Sequence, residues 1–297
     1  MNLGIFGKNL KEEGIQDIEN FFKYINEAGH TCIIYKKFYD DCIRMGLVLP
    51  NHTHFFANYE SYAAFEVDVM ISIGGDGTIL ETLEYIREKG TPVIGINRGR
   101  LGFLASVQAE NAVAMLNEIE KGHFSIDSRT VLQLESDKQM FGGVNYALND
   151  FVIHKKDSSS MITIHAFVNG EYLNSYWSDG LIISTPTGST GYNLSCGGPI
   201  LYPTSESFVI TPIAPHNLNV RPIIISDENI ISFEVEGRSP SFLATLDARS
   251  ESIDNKTQLA IRKANFEFKL IRLNNEDYLR TLREKLMWGI DNRNFKN

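Results

Sequence analysis

The residues best suited to chemistry stand together at Gly74-Gly75-Asp76-Gly77-Thr78. Glycine lets the backbone take positive φ and lets a ligand approach closely. A helix start offers unpaired N–H groups and a positive dipole end, which suits a phosphate. Asp76 is the odd member, because a carboxylate in such a cradle repels phosphate. It makes sense there if it holds a metal ion, or if it accepts a hydrogen bond and then a proton from an attacking hydroxyl. The blander alternative for the stretch alone is a plain helix N-cap beside glycines that only shape a turn.

A second set lies at Asp179 and along Ser184-Thr185-Pro186-Thr187-Gly188-Ser189-Thr190-Gly191-Tyr192-Asn193-Leu194-Ser195, followed by Gly197-Gly198-Pro199. Hydroxyls that both donate and accept, a carboxylate that accepts, and glycines that admit flat rings suit the sugars and bases of a nucleotide. No Lys or Arg occurs from residue 157 to 220. Phosphate charge there would need backbone N–H groups, a metal ion or basic groups from elsewhere. The alternative is an ordinary solvated loop between strands, with Tyr192 in packing. Asn149-Asp150 pairs an amide with a carboxylate at a strand edge, which suits ribose and base edges and equally a turn. His216, among Pro212, Ile213 and Pro215, reads as a core histidine with satisfied hydrogen bonds. Zinc-ligand spacing, a nucleophile elbow, a Walker loop and the G-x-G-x-x-G dinucleotide fingerprint are all absent from the sequence.

The elements that must position these residues can be read from periodicity. Val67 to Ile73 is apolar and β-branched, a buried parallel strand. Ile79, Leu80, Leu83 and Ile86 recur at helical spacing, and Thr78 with Glu81 has capping-box spacing, which predicts a helix starting at Thr78. Leu3–Phe6, Thr31–Tyr35 and Pro92–Ile96 read as strands. Residues 16–28, with Ile18, Phe21, Phe22 and Ile25, and residues 110–121 read as helices. Residues 40–66 show no clear pattern, and Pro50 suggests a loop. Alternating strands and helices imply a parallel α/β sheet, whose ligands sit beyond the carboxyl ends of strands. The 74–78 loop and Asn97 to Phe103, with Arg98 and Arg100 able to reach phosphate, occupy such ends. Beyond about residue 127 the texture turns to strands. Ile162, Ile164, Ala166 and Val168 alternate before Asn169-Gly170, a hairpin signal. Ile231, Phe233 and Val235 turn through residues 237–240 and are answered by Phe242, Ala244 and Leu246, which reads as another hairpin. This pattern implies an antiparallel β-sandwich. Leu279, Leu282 and Leu286 form a helical stripe near the end.

The chain has 297 residues, of which 43% are hydrophobic and 22% charged, with a net charge of −9. That is the composition of a globular protein with ample core, and the negative charge disfavours nucleic-acid and anionic-membrane partners. Cys32, Cys42 and Cys196 are scattered and odd in number, which fits a reducing cytoplasm better than a disulfide framework. Lys8, Lys11, Glu12 and Glu13 interrupt any apolar run near the start, so no signal peptide is expected.

Gly-Gly-Asp-Gly-Thr resembles the signature of a kinase superfamily that includes NAD kinases, diacylglycerol and sphingosine kinases, and 6-phosphofructokinases. The ordered set of Gly74–Thr78, Asn97-Arg98-Gly99 with Leu101-Gly102-Phe103-Leu104, Asn149-Asp150, Asp179, Ser184–Thr190, Gly197-Gly198-Pro199, Thr211-Pro212 and Pro215-His216 resembles the bacterial NAD kinase family from the first strand to near residue 272. The resemblance implies an α/β Rossmann-like domain over residues 1–126 and an all-β sandwich binding dinucleotide over 127–272; the helical tail over 273–297, read from its leucine stripe, is expected to pack back on the body. The resemblance also implies a site in the cleft between the two domains. The implied activity is transfer of a phosphoryl group from ATP, or inorganic polyphosphate, to the 2′-hydroxyl of the adenosine ribose of NAD.

Carried over by position, the resemblance makes Asp76 the residue that takes the hydroxyl proton. Asp76, Gly77, Phe103, Asn149, Asp150, Asp179, Thr190, Gly191, Tyr192, Asn193 and Ser195 would line the NAD site. Gly74, Gly75, Gly77, Thr78, Thr187 and Gly188 would lie near the phosphates. Mg²⁺ on the donor phosphates, with no protein metal site, and a homodimer or homotetramer are implied as well. Four positions depart from the family pattern: Asp150 where Glu is usual, Gly191 where Ala is usual, and Ala248-Arg249 after Asp247 where Gly or Ser and then Gln are usual. A lipid kinase of the diacylglycerol type, and a dinucleotide-binding sensor without catalysis, remain as alternatives.

Overall fold

In the computed structural model, which describes residues 1–8, 10, 14–99, 102–156, 161–274 and 277–288, the chain divides into two units. One comprises residues 1–86, 91–127 and the described residues from Lys269 on; the other comprises 87–90 and 128–268.

The first unit alternates as the periodicity requires. Its elements are β1 (Asn2–Gly7), α1 (Ile15–Glu27), β2 (Thr31–Tyr35), α2 (Lys36–Arg44), β3 (Thr53–Phe56), α3 (Tyr59–Ala63), β4 (Val69–Ile73), α4 (Asp76–Ile86), β5 (Val93–Asn97), β6 (Val107–Gln108), α5 (Ala112–Glu120) and the start of β7 (Phe124–Ser136). The parallel sheet runs β3-β2-β1-β4-β5. The order reverses between β1 and β4, the switch point where α/β sheets bind ligands beyond their strand ends. Both β4 and β5 are buried along their whole length. Helix α1 buries Ile18, Phe21, Phe22 and Ile25, the stripe expected of it. An aromatic cluster seats α4 on the sheet: Tyr85 lies 5.2 Å from Phe6, 5.2 Å from Tyr35 and 5.3 Å from Phe56, ring centre to ring centre.

Residues 40–66 contain the expected loop, over residues 45–52 around Pro50, and also hold the end of α2, then β3 and α3. Helix α2 buries only Phe38 and Cys42, and β3 has its two middle residues exposed, so neither leaves a periodic trace. Helix α4 begins at Asp76, two residues before the expected Thr78.

The second unit is the sandwich. Its strands are the rest of β7, β8 (Tyr146–Ala147), β9 (Asp150–Lys155), β10 (Ile162–Val168), β11 (Glu171–Ser178), β12 (Gly180–Ser184), β13 (Ser207–Ile213), β14 (Ile223–Ser226), β15 (Ile231–Gly237), β16 (Ser241–Leu246), β17 (Arg249–Asp254) and most of β18 (Leu259–Leu273); α6 (Tyr192–Ser195) is a single turn. One antiparallel layer runs β14-β13-β12-β9-β16-β17, and the other carries β11-β10-β15-β18. Their inner faces share one core, with Phe151, Leu181, Ile183, Phe208 and Phe242 from the first and Ile162, Ile164, Ile231, Val235 and Ile261 from the second. The Asn169-Gly170 hairpin forms with both residues at positive φ, as a two-residue turn needs.

The second expected hairpin does not form. Strand β15 pairs with β10 and β18, whereas β16 pairs with β9 and β17, so the turn at 237–240 crosses from one layer to the other. Alternation reports an inward face, and in a sandwich both layers face the same core. The last helix, α7 (Tyr278–Leu286), is capped by Asp277 and buries Leu282, but leaves Leu279 47% exposed.

Candidate active site

Strand β4 ends at Ile73, and Gly74 N–H donates to the Ile96 carbonyl at 2.8 Å, so the glycine loop leaves the sheet beside the end of β5. Asp76 opens α4, yet its carboxylate is bound to another segment. Oδ2 accepts the Phe103 N–H at 2.7 Å, and Oδ1 accepts those of Leu104 at 3.1 Å and Ala105 at 2.9 Å. A carboxylate offers about four acceptor directions, so these three bonds orient the group and leave one direction for an outside donor. A Cβ on Gly102 would stand 1.7 Å from Asp76 Oδ1, which is why glycine precedes Phe103. Arg272 holds the same segment from behind. It donates to the Phe103 carbonyl at 3.1 Å and pairs with Asp127 at 3.4 Å. Arg98 reaches the Lys8 carbonyl at 3.4 Å, and burial lowers its pKa. Arg100 lies outside the described residues.

In the second unit, Asn149 and Asp150 enter β9. Their backbone is held by Asp247, whose carboxylate accepts the N–H groups of Leu148 (2.9 Å), Asn149 (2.8 Å) and Asp150 (3.1 Å). Asp150 is only 6% exposed, and burial together with the negative Asp247 pushes its pKa up to about 7. The Asp247 carboxyl is raised as well, by burial, against the lowering effect of its three N–H donors. Asp179, between β11 and β12, forms a 2.6 Å ion pair with Lys155.

The hydroxyl-rich loop is a built structure, not a solvated excursion. Thr185 Oγ1 donates to the Leu148 carbonyl at 2.5 Å and accepts the Gly188 N–H at 3.1 Å. A Cβ on Gly188 would lie 2.1 Å from the Asn149 carbonyl, so glycine lets the loop close on that residue. Thr187 Oγ1 accepts from Arg129 at 3.2 Å, a side chain only 2% exposed. The Asn193 amide donates to the Ser189 (3.0 Å) and Pro199 (2.9 Å) carbonyls and accepts from Thr211 (2.6 Å), so its side chain is used within the loop. Thr190 is half-buried, and its hydroxyl donates to the Thr187 carbonyl at 3.4 Å. Tyr192 and Ser195 are exposed. The Tyr192 hydroxyl pKa is raised, first by partial burial and then by the negative groups Cys196, Asp150 and Asp179. A Cβ on Gly191 would meet the Gly188 carbonyl at 3.2 Å, so the family's alanine would fit with a slight shift.

The expected residues thus fall into two groups. Gly74, Gly75, Asp76, Gly77, Thr78 and Phe103 gather in the first unit. Asn149, Asp150, Asp179, Thr187, Gly188 and residues 190–195 belong to the second. His216 is not a core histidine. It is exposed, with its ring 5.5 Å from that of Trp177, because the segment after Ile213 leaves the sheet. Sequence reading missed Arg129, Lys155 and Arg272, and noticed Thr211 and Asp247 without giving either a task. Of these five, Thr211 and Asp247 had carried a signal, through the resemblance.

The N-terminal domain family of ATP-NAD kinases matches residues 3–124, and the C-terminal domain family matches residues 148–273. NAD kinases of Cytophaga hutchinsonii and Flavobacterium johnsoniae are 45% and 44% identical to this chain, over 99% of it and 100% of their own length. The NAD kinase of Bacteroides fragilis is 41% identical over the same shares. Among solved structures, yeast NADH kinase complexed with NADH superposes with a TM-score of 0.88 at 21% identity, covering 98% of this chain and 88% of that one, a likeness of fold. An Archaeoglobus fulgidus NAD kinase in complex with ATP gives a TM-score of 0.69 at 25% identity, covering 97% and 99%. With both of its domain families matched in order and full-length relatives above 40% identity, the chain belongs to the NAD kinase family.

Proposed function

We propose that this protein phosphorylates the 2′-hydroxyl of the adenosine ribose of NAD to give NADP, with ATP as donor. The observation that carries the reading is the Asp76 carboxylate, oriented by three backbone N–H groups and left with one acceptor direction at the carboxyl end of a central strand. A carboxylate is a weak base for an alcohol. Asp76 therefore acts mainly by holding the hydroxyl in line and receiving its proton late, as a loose phosphoryl-transfer transition state allows. The N–H groups of Gly75 and Gly77 at the start of α4 suit the donor phosphates, while that of Thr78 is bonded to the Gly75 carbonyl at 2.9 Å. Phe103, Asn149, Asp150, Asp179 and the Thr190–Ser195 stretch serve the dinucleotide, with Lys155 countering the charge of Asp179. Thr187 and Gly188 lie toward phosphate, where Arg129 supplies the cation that the loop's own sequence lacks.

Among the described residues, no group of three or more His, Cys, Asp or Glu side chains is placed to hold a metal ion. We place Mg²⁺ on the donor phosphates, where it would neutralise their charge. Three free cysteines, two of them buried, support a cytoplasmic setting. A homodimer or homotetramer is the assembly we assign by family likeness.

The test is incubation of NAD with Mg-ATP or polyphosphate and measurement of NADP. Asp76→Ala should lower kcat by about 10³-fold or more while NAD affinity stays within a few-fold. An Asp76→Ala protein as active as the wild type would reject the mechanism. NAD binding by calorimetry with no turnover would favour the sensor, and turnover on lipid vesicles the lipid kinase.

A further inference from the structure

We infer that Asp247 is a positioning residue for Asn149 and Asp150, assisted by Arg249 from the same turn; the inference rests on the reading of those two residues as dinucleotide contacts. Leu148 and Asn149 precede β9, so no strand of that layer satisfies their N–H groups. Asp247 takes them instead, together with that of Asp150. The carbonyls of the same three residues are also held. The Leu148 carbonyl accepts from Thr185 Oγ1 at 2.5 Å, the Asn149 carbonyl from Thr185 N–H at 2.9 Å, and the Asp150 carbonyl from Asp247 N–H at 3.0 Å. With their N–H and carbonyl groups so bonded, the Asn149 and Asp150 side chains are what this segment presents to a ligand.

Asp247 sits at φ 50°, a left-handed conformation that aspartate tolerates better than most residues. That conformation turns its N–H and its carboxylate toward one segment. Arg249 then extends the grip upstream. It donates to the Val144 carbonyl at 2.7 Å and to the Tyr146 carbonyl, and it lies 5.9 Å above the Phe141 ring. Glu251, next along the same face of β17, accepts the Phe141 N–H at 2.8 Å. The 247–251 stretch thus clamps residues 141–150. At the position where the family usually has Gln, Arg249 works on the protein backbone.

The experiment compares steady-state kinetics of wild type, Asp247→Asn and Asp247→Ala, with thermal melts. Asn keeps an oxygen for the Asn149 and Asp150 N–H groups but turns an NH₂ toward that of Leu148; Ala loses all three bonds. The expected result is a KM for NAD raised about tenfold by Asn and about a hundredfold by Ala, with KM for ATP within about twofold of wild type. A folded Asp247→Ala protein whose KM for NAD stays within twofold overturns the inference. So does a parallel rise in KM for ATP, which a merely structural role would produce. If Asp247→Ala does not fold, Asp247→Asn and Arg249→Lys carry the test in the same direction. A wild type that makes no NADP rejects the functional reading instead; NAD calorimetry on the same variants then decides the positioning role, and unchanged affinity overturns it.

Discussion

Replacing Asp150 by Asn should stabilise the protein, and the gain should grow with pH. The Asp150 carboxyl is 6% exposed and faces the Asp247 carboxyl, which raises its pKa from an ordinary 3.8 to about 7. Between about pH 4 and pH 7 the folded chain therefore binds a proton that the unfolded chain has already lost. Raising the pH through that window favours unfolding; below it both states hold the proton, and above it neither does. A rise of about three pH units, at ~1.4 kcal/mol each, costs about 4 kcal/mol at pH 8 as an upper bound. Asp150→Asn removes that cost and keeps the backbone bonds to Asp247. Urea unfolding of both proteins at pH 5, 6, 7 and 8 measures it. Trp177 lies in the same unit as Asp150, and Trp288→Phe removes the second of the chain's two tryptophans as an emitter. The stability gap should widen steadily up to pH 7 and then level off. A gap independent of pH, or a wild type that is the more stable at pH 8, would refute the reasoning. The same variant is expected to lose NAD affinity, because a buried acid that destabilises the fold is of use only to a ligand.

Gly102→Ala should behave as a mutant of Asp76. Its Cβ, 1.7 Å from Oδ1, displaces the carboxylate, and kcat should fall at least about a hundredfold in the NADP assay while the melting temperature changes little. Asn193→Ala, at a fully buried side chain, removes the partner of Thr211 and of two carbonyls; denaturant titration should show a loss of about 2–4 kcal/mol.

Features set by near neighbours could be read directly from the residues. Strand β4, the glycine corner after it and the stripe of α1 follow from apolar spacing and from the conformations glycine permits. The Asn169-Gly170 hairpin follows from the φ its turn demands. Where a short element buries little, as α2 and β3 do, the pattern fades and the sequence is silent. Where two layers share a core, alternation marks an inward face without naming a partner, and so β15 and β16 looked paired.

What holds the candidate site in place is of another kind. Asp247 meets Leu148 across 99 positions, Arg272 meets Phe103 across 169, and Arg129 meets Thr187 across 58. A lone Asp or Arg carries no local signature of the backbone group it will bind, because that choice depends on which strands the fold brings side by side. The sequence by itself determined the family, the two architectures and the chemistry-bearing residues, since glycine, carboxylate and hydroxyl act through intrinsic conformation and polarity. Only the tertiary structure decided how Asp76 is oriented, why Asp150 keeps its proton so high and what Arg249 grips, because burial and long-range hydrogen bonds exist only once the chain has closed on itself.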